Sequence, residues 1–248
     1  MKLQHARFIV TGAASGLGRA AALFLAGEGA HVAAMDRDPE GLDALAAAAP
    51  AGLVRTYVLD VTQEDEVVAQ VERADRDLGG VNGLLNYAGI FRDGLLIRPN
   101  GVRMPLAQWR KVIDVDLTGT FLMVRETARA MIGSSTADGV IVLVSSISRH
   151  GNVGQASYSA AKAGVVADTR VWARELAPYG IRVGAISPGL FDTPILDAVE
   201  PDMLRDYLAR IPLGRLGRPE EISHALRFIV ECDYFTGECV EINGGFFF

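Results

Sequence analysis

Phe8-Ile9-Val10 is a short apolar run that leads into Thr11-Gly12-Ala13-Ala14-Ser15-Gly16-Leu17-Gly18, and an Ala/Leu-rich stretch from Leu17 to Gly27 follows. A strand, a glycine-rich turn and a helix in that order can bring backbone N–H groups against a pyrophosphate. The helix N-terminus adds a partial positive charge there, and glycines permit the close approach. The spacing is G-x-x-x-G-x-G rather than the commoner G-x-G-x-x-G, so its position between strand and helix carries the reading more than the glycines do. A tight turn with no ligand is the plainer alternative.

The alternation continues outward from this turn. Strands are predicted at His31–Met35, Val54–Leu59, Gly83–Asn86, Val140–Val144, Ile181–Ile186 and Cys239–Ile242, and helices at Pro39–Ala49, Glu64–Leu78 and Ala156–Ala177. The run Val140-Ile141-Val142-Leu143-Val144 is continuously apolar, as a strand covered on both faces should be. Strands alternating with helices imply right-handed βαβ units and a parallel sheet. The expected fold is therefore α/β: one Rossmann-type, doubly wound domain over residues 1–248, with seven parallel strands and helices on both faces. Phe91–Pro105 and Asp192–Pro219 lack periodicity, and irregular segments of that length tend to be lids or binding loops.

Composition narrows the function classes. Of 248 residues, 50% are hydrophobic and 22% charged, which excludes intrinsic disorder. The 27 glycines are about 11% of the chain against roughly 7% in average usage, with only 10 prolines, so they belong to specific turns and not to a linker. The net charge is −6 with no Lys/Arg run, which argues against nucleic acid as a partner. Cys232 and Cys239 are too few for a disulfide scaffold and have no metal-ligand pattern, so no metal is expected and free thiols in a reducing cytoplasm are. No signal-peptide core and no apolar run long enough for a membrane span is present.

Asp36 ends the second strand, 24 residues after Gly12. A carboxylate there can accept hydrogen bonds from adenosine ribose hydroxyls and repels a 2′-phosphate, which favours NAD over NADP. Arg37 beside it can instead pair with such a phosphate. Tyr158 and Lys162 are four apart in a helical stretch and share one face. A nearby ammonium favours the phenolate, so the tyrosine pKa is expected to fall and make Tyr158 usable as a general acid/base. Ser145 lies 13 residues upstream at the end of the fifth strand, where ligands of doubly wound sheets bind. There it can hydrogen-bond a substrate oxygen.

With these residues in place the chain resembles the classical short-chain dehydrogenases/reductases. The resemblance rests on the Thr11–Gly18 turn, Asp60-Val61, Asn86-Tyr87-Ala88-Gly89, Ser145, Tyr158-Ser159-Ala160-Ala161-Lys162 and Pro188-Gly189, and it covers Phe8 to Gly245. It implies that Gly12, Ser15, Gly16, Leu17 and Gly18 hold the dinucleotide phosphates and that Asp60 and Val61 contact the adenine. It implies that Asn86, Ala88 and Gly89 line the ribose side, and that Pro188, Gly189, Phe191 and Thr193 flank the nicotinamide. Tyr158 would be the acid/base, Lys162 would hold the nicotinamide ribose, and Ser145 would orient the reacting oxygen.

Two positions depart from the family. Tyr87 stands where a second asparagine is usual, and Val115-Asp116-Leu117 places Asp116 at the position of the family's catalytic asparagine. A carboxylate there is expected to raise the Tyr158 pKa or to pair with Lys162. It also keeps open a nucleotide-binding sensor with impaired catalysis.

Two subgroups look closest. Gly189–Leu196 and Phe235–Cys239 resemble type-2 3-hydroxyacyl-CoA dehydrogenases; Phe91–Arg98 and Gly154–Tyr158 resemble 3-oxoacyl-acyl-carrier-protein reductases. Both imply a 3-hydroxyacyl or 3-oxoacyl thioester carried by CoA or an acyl-carrier protein. An NADPH-dependent reductase, or a ketone, steroid or sugar-alcohol substrate, is the alternative. Arg98 and Arg103 can meet an acidic carrier or a CoA phosphate, or simply be solvated. Residues 192–218 are read as a substrate lid, with Leu196, Val199, Met203, Leu204, Tyr207, Leu208 and Ile211 on the apolar face of a helix. The family resemblance implies a homotetramer, and the terminal Phe246-Phe247-Phe248 is expected to pack against a neighbouring subunit.

Overall fold

The computed structural model describes residues 1–92, 94–134, 138–194, 196 and 201–247. Seven strands, β1 (Arg7–Thr11), β2 (His31–Asp36), β3 (Val54–Val58), β4 (Gly83–Asn86), β5 (Gly139–Val144), β6 (Ile181–Pro188) and β7 (Cys239–Ile242), form one parallel sheet in the order β3-β2-β1-β4-β5-β6-β7. Helices α1 (Gly16–Gly27), α2 (Pro39–Ala48), α3 (Glu64–Leu78), α4 (Leu106–Ile113), α5 (Gly119–Gly133), α6 (Ala156–Leu176), α7 (Pro201–Arg210) and α8 (Ile222–Glu231) connect them. The expected doubly wound α/β architecture is present.

Strand periodicity explains why both faces are covered. Successive side chains point to opposite sides of a strand. Phe8, Val10, Val32, Ala34, Val140 and Val142 therefore enter one core with α1, α2 and α8. Ile9, Ala33, Met35, Ile141 and Leu143 enter the other with α3, α5 and α6. The chain winds outward from β1 to β3 and then crosses back to β4. The β1/β4 boundary is thus the point where the winding reverses, and the ends of the strands there open into a crevice.

Helices α4 and α5 are one continuous rod joined by a π-helical segment, Asp114–Thr118. Such wide turns are found mostly at functional sites, and this one carries Asp116. Its position is fixed by a buried relay. Thr120 Oγ1 donates to the Asp116 carbonyl (2.8 Å) and accepts from Asn86 Nδ2 (2.9 Å), while Asn86 Oδ1 accepts from Thr11 Oγ1 (2.8 Å), which in turn accepts from the Ala88 N–H (3.1 Å). The relay ties β1, β4 and the α4–α5 rod together beneath the crevice.

A third, small cluster lies apart from the two cores. Ile147, Ile211 and Phe246 are buried in it, with Leu190, Tyr207, Leu208 and Leu216 packed around them. This corrects the expectation for the C-terminal aromatics: Phe246 is fully buried within its own chain and cannot dock on a neighbour, whereas Phe247 is exposed. The segment read as a lid contains α7, and Tyr207, Leu208 and Ile211 pack into this third cluster. Val199, Ile195, Asp93 and Phe248 lie outside the described residues. Among the described residues no helix is long and apolar enough to cross a membrane.

Replacing Asn86 with Ala removes two buried hydrogen bonds and strands the hydroxyls of Thr11 and Thr120. The expected loss is about 2–3 kcal/mol, read as a lower urea midpoint at unchanged slope. A midpoint equal to that of the unsubstituted protein would mean that the relay does not hold these elements.

Candidate active site

A cavity of about 910 Å³ opens at the C-terminal ends of the strands, running from the Gly12–Gly18 turn past Asp36 and Asp60 to Tyr158 and Lys162. The turn is shaped to receive an anion. Gly12 and Gly16 have φ of 65° and 54°, and a Cβ on Gly18 would lie 2.1 Å from the Gly12 carbonyl oxygen. Ser15 makes no side-chain cap and no acidic residue occupies the first turn of α1. The free N–H groups of that helix end therefore face the cavity, with their partial positive charge uncompensated. Asp36 is held between two backbone donors, Ala14 N–H (3.0 Å) and Asp38 N–H (3.1 Å), at the cavity wall beside the exposed Arg37. A cavity of this size with an anion turn and a carboxylate beside it fits a dinucleotide.

All the residues expected to hold a dinucleotide line this cavity except Asn86. Asn86 is buried and both ends of its amide are used in the relay above, so its part is to position the neighbouring segment and not to line the ribose. Asp60 lines the wall while its Oδ1 caps a local turn, accepting from Thr62 N–H (2.9 Å) and Thr62 Oγ1 (2.8 Å). Tyr87 packs its ring against the first core, and its hydroxyl is buried with no partner among the described residues. Burial holds that hydroxyl well above the ordinary tyrosine pKa.

The reacting end is built by β5, α6 and the π-helical segment. Lys162 Nζ lies 5.5 Å from the centre of the Tyr158 ring, and the edge of that ring meets Phe91 at a centroid distance of 5.4 Å. Lys162 Nζ donates to the Val144 carbonyl (3.1 Å) and stands 3.2 Å from Asp116 Oδ2. The other Asp116 oxygen accepts from the Ile90 N–H (2.8 Å). Asp116 and Lys162 are 0% and 5% exposed. Of the two outcomes foreseen for Asp116, pairing with the lysine is thus realised directly.

The two adjacent serines are placed differently. Ser145 is buried, and its Oγ donates to the backbone carbonyl of Lys162 (2.7 Å), away from the phenol. Ser146 lines the cavity together with Tyr158, and its hydroxyl acts to lower the tyrosine pKa. It also opens the short 3₁₀ turn Ile147–His150 by accepting from the Ser148 N–H (3.1 Å). Both serines line the cavity, but the Ser145 hydroxyl is already engaged by the Lys162 carbonyl.

The electrostatics also differ from the expectation. Burial raises the Tyr158 pKa and Asp116 raises it further, against the opposing pull of Lys162 and Ser146. Burial alone disfavours the Lys162 ammonium, but Asp116 and Tyr158 outweigh it and hold the lysine above its ordinary value. Burial pushes the Asp116 carboxyl up, against the pull of Lys162 and the Ile90 N–H. The lowered pKa expected from the Tyr158–Lys162 spacing leaves out desolvation, while the effect of Asp116 has the upward sign expected of it.

A family model described as enoyl-(acyl carrier protein) reductase matches residues 12–247. The chain is 42% identical over 250 residues to the 3-oxoacyl-[acyl-carrier-protein] reductase FabG of Thermotoga maritima, covering 99% of both chains. It is 34% identical over 258 residues to the (3R)-3-hydroxyacyl-CoA dehydrogenase of Homo sapiens, with 99% and 97% covered. It is 41% identical over 244 residues to the cis-4-hydroxycyclohexanecarboxylate dehydrogenase of Sinomonas cyclohexanicum, with 96% and 95% covered. The chain belongs to the short-chain dehydrogenase/reductase family. It is an oxidoreductase with a Rossmann fold able to bind NAD(P).

Several parts of this enzyme's site escaped sequence reasoning. Ser146 was hidden by its neighbour Ser145. Phe91 against Tyr158, and Thr11 and Thr120 in the relay, belong to no motif. Arg110 and Lys111 of α4 also line the cavity, in a helix that periodicity did not reveal.

Two substitutions probe this geometry. Asp116→Asn removes a charge that raises the Tyr158 pKa. The rise of alcohol oxidation with pH, where the phenolate is the base, is expected to move to lower pH, as a pH–rate profile would record. An unmoved profile would mean that the carboxylate does not act on the tyrosine. Ser146→Ala is expected to cut kcat by about 10², whereas Ser145→Ala should chiefly cost stability, about 1–2 kcal/mol. The opposite pattern would support the sequence-based assignment.

Proposed function

We propose that the enzyme interconverts the secondary alcohol and ketone of a 3-hydroxyacyl/3-oxoacyl thioester, with NAD as the preferred dinucleotide. The observation that carries this reading is the convergence of two hydroxyls, Tyr158 and Ser146, with the Lys162 ammonium at one end of the dinucleotide-sized cavity. Two hydroxyls at one point suit an oxygen that gains or loses a proton, hence C–OH/C=O chemistry and not reduction of a C=C bond. The nicotinamide supplies or accepts the hydride when bound. Tyr158 gives the proton to the carbonyl oxygen or takes it from the alcohol, Ser146 donates to that oxygen, and Lys162 stabilises the phenolate. Asp36, facing the ribose end with its carboxylate held by two N–H groups, supports NAD over NADP.

The thioester is supported by the similarity to the bacterial 3-oxoacyl-[acyl-carrier-protein] reductase and the human (3R)-3-hydroxyacyl-CoA dehydrogenase. A cyclic hydroxy acid is the second reading, favoured by the 41% identity to the Sinomonas enzyme. Family resemblance also supports a cytoplasmic homotetramer.

Reduction of acetoacetyl-CoA should proceed with NADH at a kcat/KM at least about tenfold above that with NADPH, a difference of ~1.4 kcal/mol. Tyr158→Phe should lower kcat by about 10²–10⁴ and leave NADH binding, followed by fluorescence, unchanged. Turnover of cis-4-hydroxycyclohexanecarboxylate but of no thioester would select the second reading. Dinucleotide binding without turnover of any alcohol or ketone would mean a sensor.

A further inference from the structure

The six residues from Glu241 to Phe246 touch the turn after Ser146, the end of β6 and the segment around α7. Glu241 Oε1 accepts from Arg149 Nη2 (2.5 Å), and His150 Nε2 lies 3.3 Å from the same oxygen. Arg149 and His150 belong to the 3₁₀ turn that Ser146 caps. Asn243 Nδ2 donates to the other Glu241 oxygen (3.1 Å), and Asn243 Oδ1 accepts from the Gly245 N–H (3.0 Å), so the segment is internally braced. The Ile242 carbonyl accepts from the Gly189 N–H (2.8 Å) at the end of β6, and the Gly244 carbonyl accepts from the Leu213 N–H (3.3 Å) beyond α7.

Phe246 closes the arrangement. Its ring is fully buried between Ile147, the residue after Ser146, and Tyr207, Leu208 and Ile211 of the lid. The Tyr207 and Phe246 ring centres are 6.0 Å apart with an interplanar angle of 64°, and the Arg210 guanidinium stands 5.1 Å above the Phe246 ring. Apart from Leu190, these residues do not line the cavity. The ring therefore supports the wall from behind and does not meet a ligand.

We propose that Glu241–Phe246 is a positioning segment in which the Phe246 ring couples the lid helix to the Ser146 turn, so that lid placement and the orientation of the serine hydroxyl are set together. The physical basis is close packing. Ile147 and the lid share one buried ring, so a displacement of either reaches the other. Glu241 holds the turn from its far end through Arg149. Misplacing a hydroxyl at a reacting oxygen costs rate, and misplacing a lid costs substrate binding, so the ring carries both.

The proposal rests on Ser146 as the substrate-orienting serine, and a double-mutant cycle with acetoacetyl-CoA and NADH keeps the two claims separate. Phe246→Ala is expected to lower kcat about tenfold and to raise the KM of the thioester, with the dissociation constant of NADH changed by less than about twofold. Phe246→Leu, which refills most of the space, should recover kcat to within about threefold. In a Ser146→Ala background the kcat effect of Phe246→Ala should shrink to less than about twofold while the KM effect persists. In the protein without dinucleotide, Phe246→Ala should speed proteolytic cleavage on either side of α7 and leave the sheet intact. A Ser146→Ala variant of full activity would remove the reading of the serine. With Ser146→Ala impaired, an undiminished tenfold effect of Phe246→Ala in that background would overturn the coupling alone, as would an unaltered kcat in Phe246→Ala. Where Phe246→Ala does not fold, Phe246→Leu carries the cycle, and full additivity there overturns the coupling equally.

Discussion

An ammonium and a carboxylate, both almost wholly withdrawn from water and 3.2 Å apart, lie at the centre of this enzyme. Burying two charges costs several kcal/mol for each ion unless geometry and further hydrogen bonds offset it. The surrounding structure supplies that compensation. The Val144 carbonyl takes one lysine proton and the Ile90 N–H takes one aspartate oxygen. Gly89 leaves the pair room: a Cβ there would stand 3.2 Å from Asp116 Oδ2 and 3.4 Å from Lys162 Nζ. Even the wide turn Asp114–Thr118 belongs to this account, since it places Asp116 against the end of β4 without ending the rod that carries it.

The pair also sets what Tyr158 can do. In a site without Asp116 the lysine would act on the phenol as an unopposed cation and would lower its pKa. Here part of that field is spent on the carboxylate, while burial favours the neutral phenol. The net direction is upward, toward the neutral phenol, with Ser146 as well as Lys162 acting against it.

The sheet was legible because its signals are local and repeated. Alternation of apolar runs with helical stretches located all seven strands, and the glycine turn located the crevice. The α4–α5 rod was not legible, for a physical reason. Its π-helical segment shifts the side-chain phase midway, and α5 buries residues on most of its circumference, so no single stripe emerges. Site residues divide the same way. Tyr158 and Lys162 share one helix face and are visible from spacing. Ser146, Phe91 and the Thr11–Asn86–Thr120 relay depend on which way a side chain turns after its strand ends, and that is fixed only by tertiary contacts. The tyrosine pKa failed for a related reason: the sign depends on burial, which the spacing of two residues does not contain.

The three hydrophobic clusters divide the labour between chemistry and substrate. Both large cores fix the strand ends, and with them the glycine turn, Lys162 and the position from which Tyr158 projects. Among the described residues the third cluster joins the turn after Ser146, Leu190 beyond β6, the segment around α7 and the C-terminal segment. A substitution in the third cluster can alter the lid without disturbing the register of the sheet, because neither large core shares its buried residues. A fold of this kind can keep one hydride and proton geometry while the acyl, cyclic or other body of the alcohol changes. Relatives named as a 3-oxoacyl-[acyl-carrier-protein] reductase, a (3R)-3-hydroxyacyl-CoA dehydrogenase and a cis-4-hydroxycyclohexanecarboxylate dehydrogenase all align over at least 95% of their length with this chain, as such a separation allows.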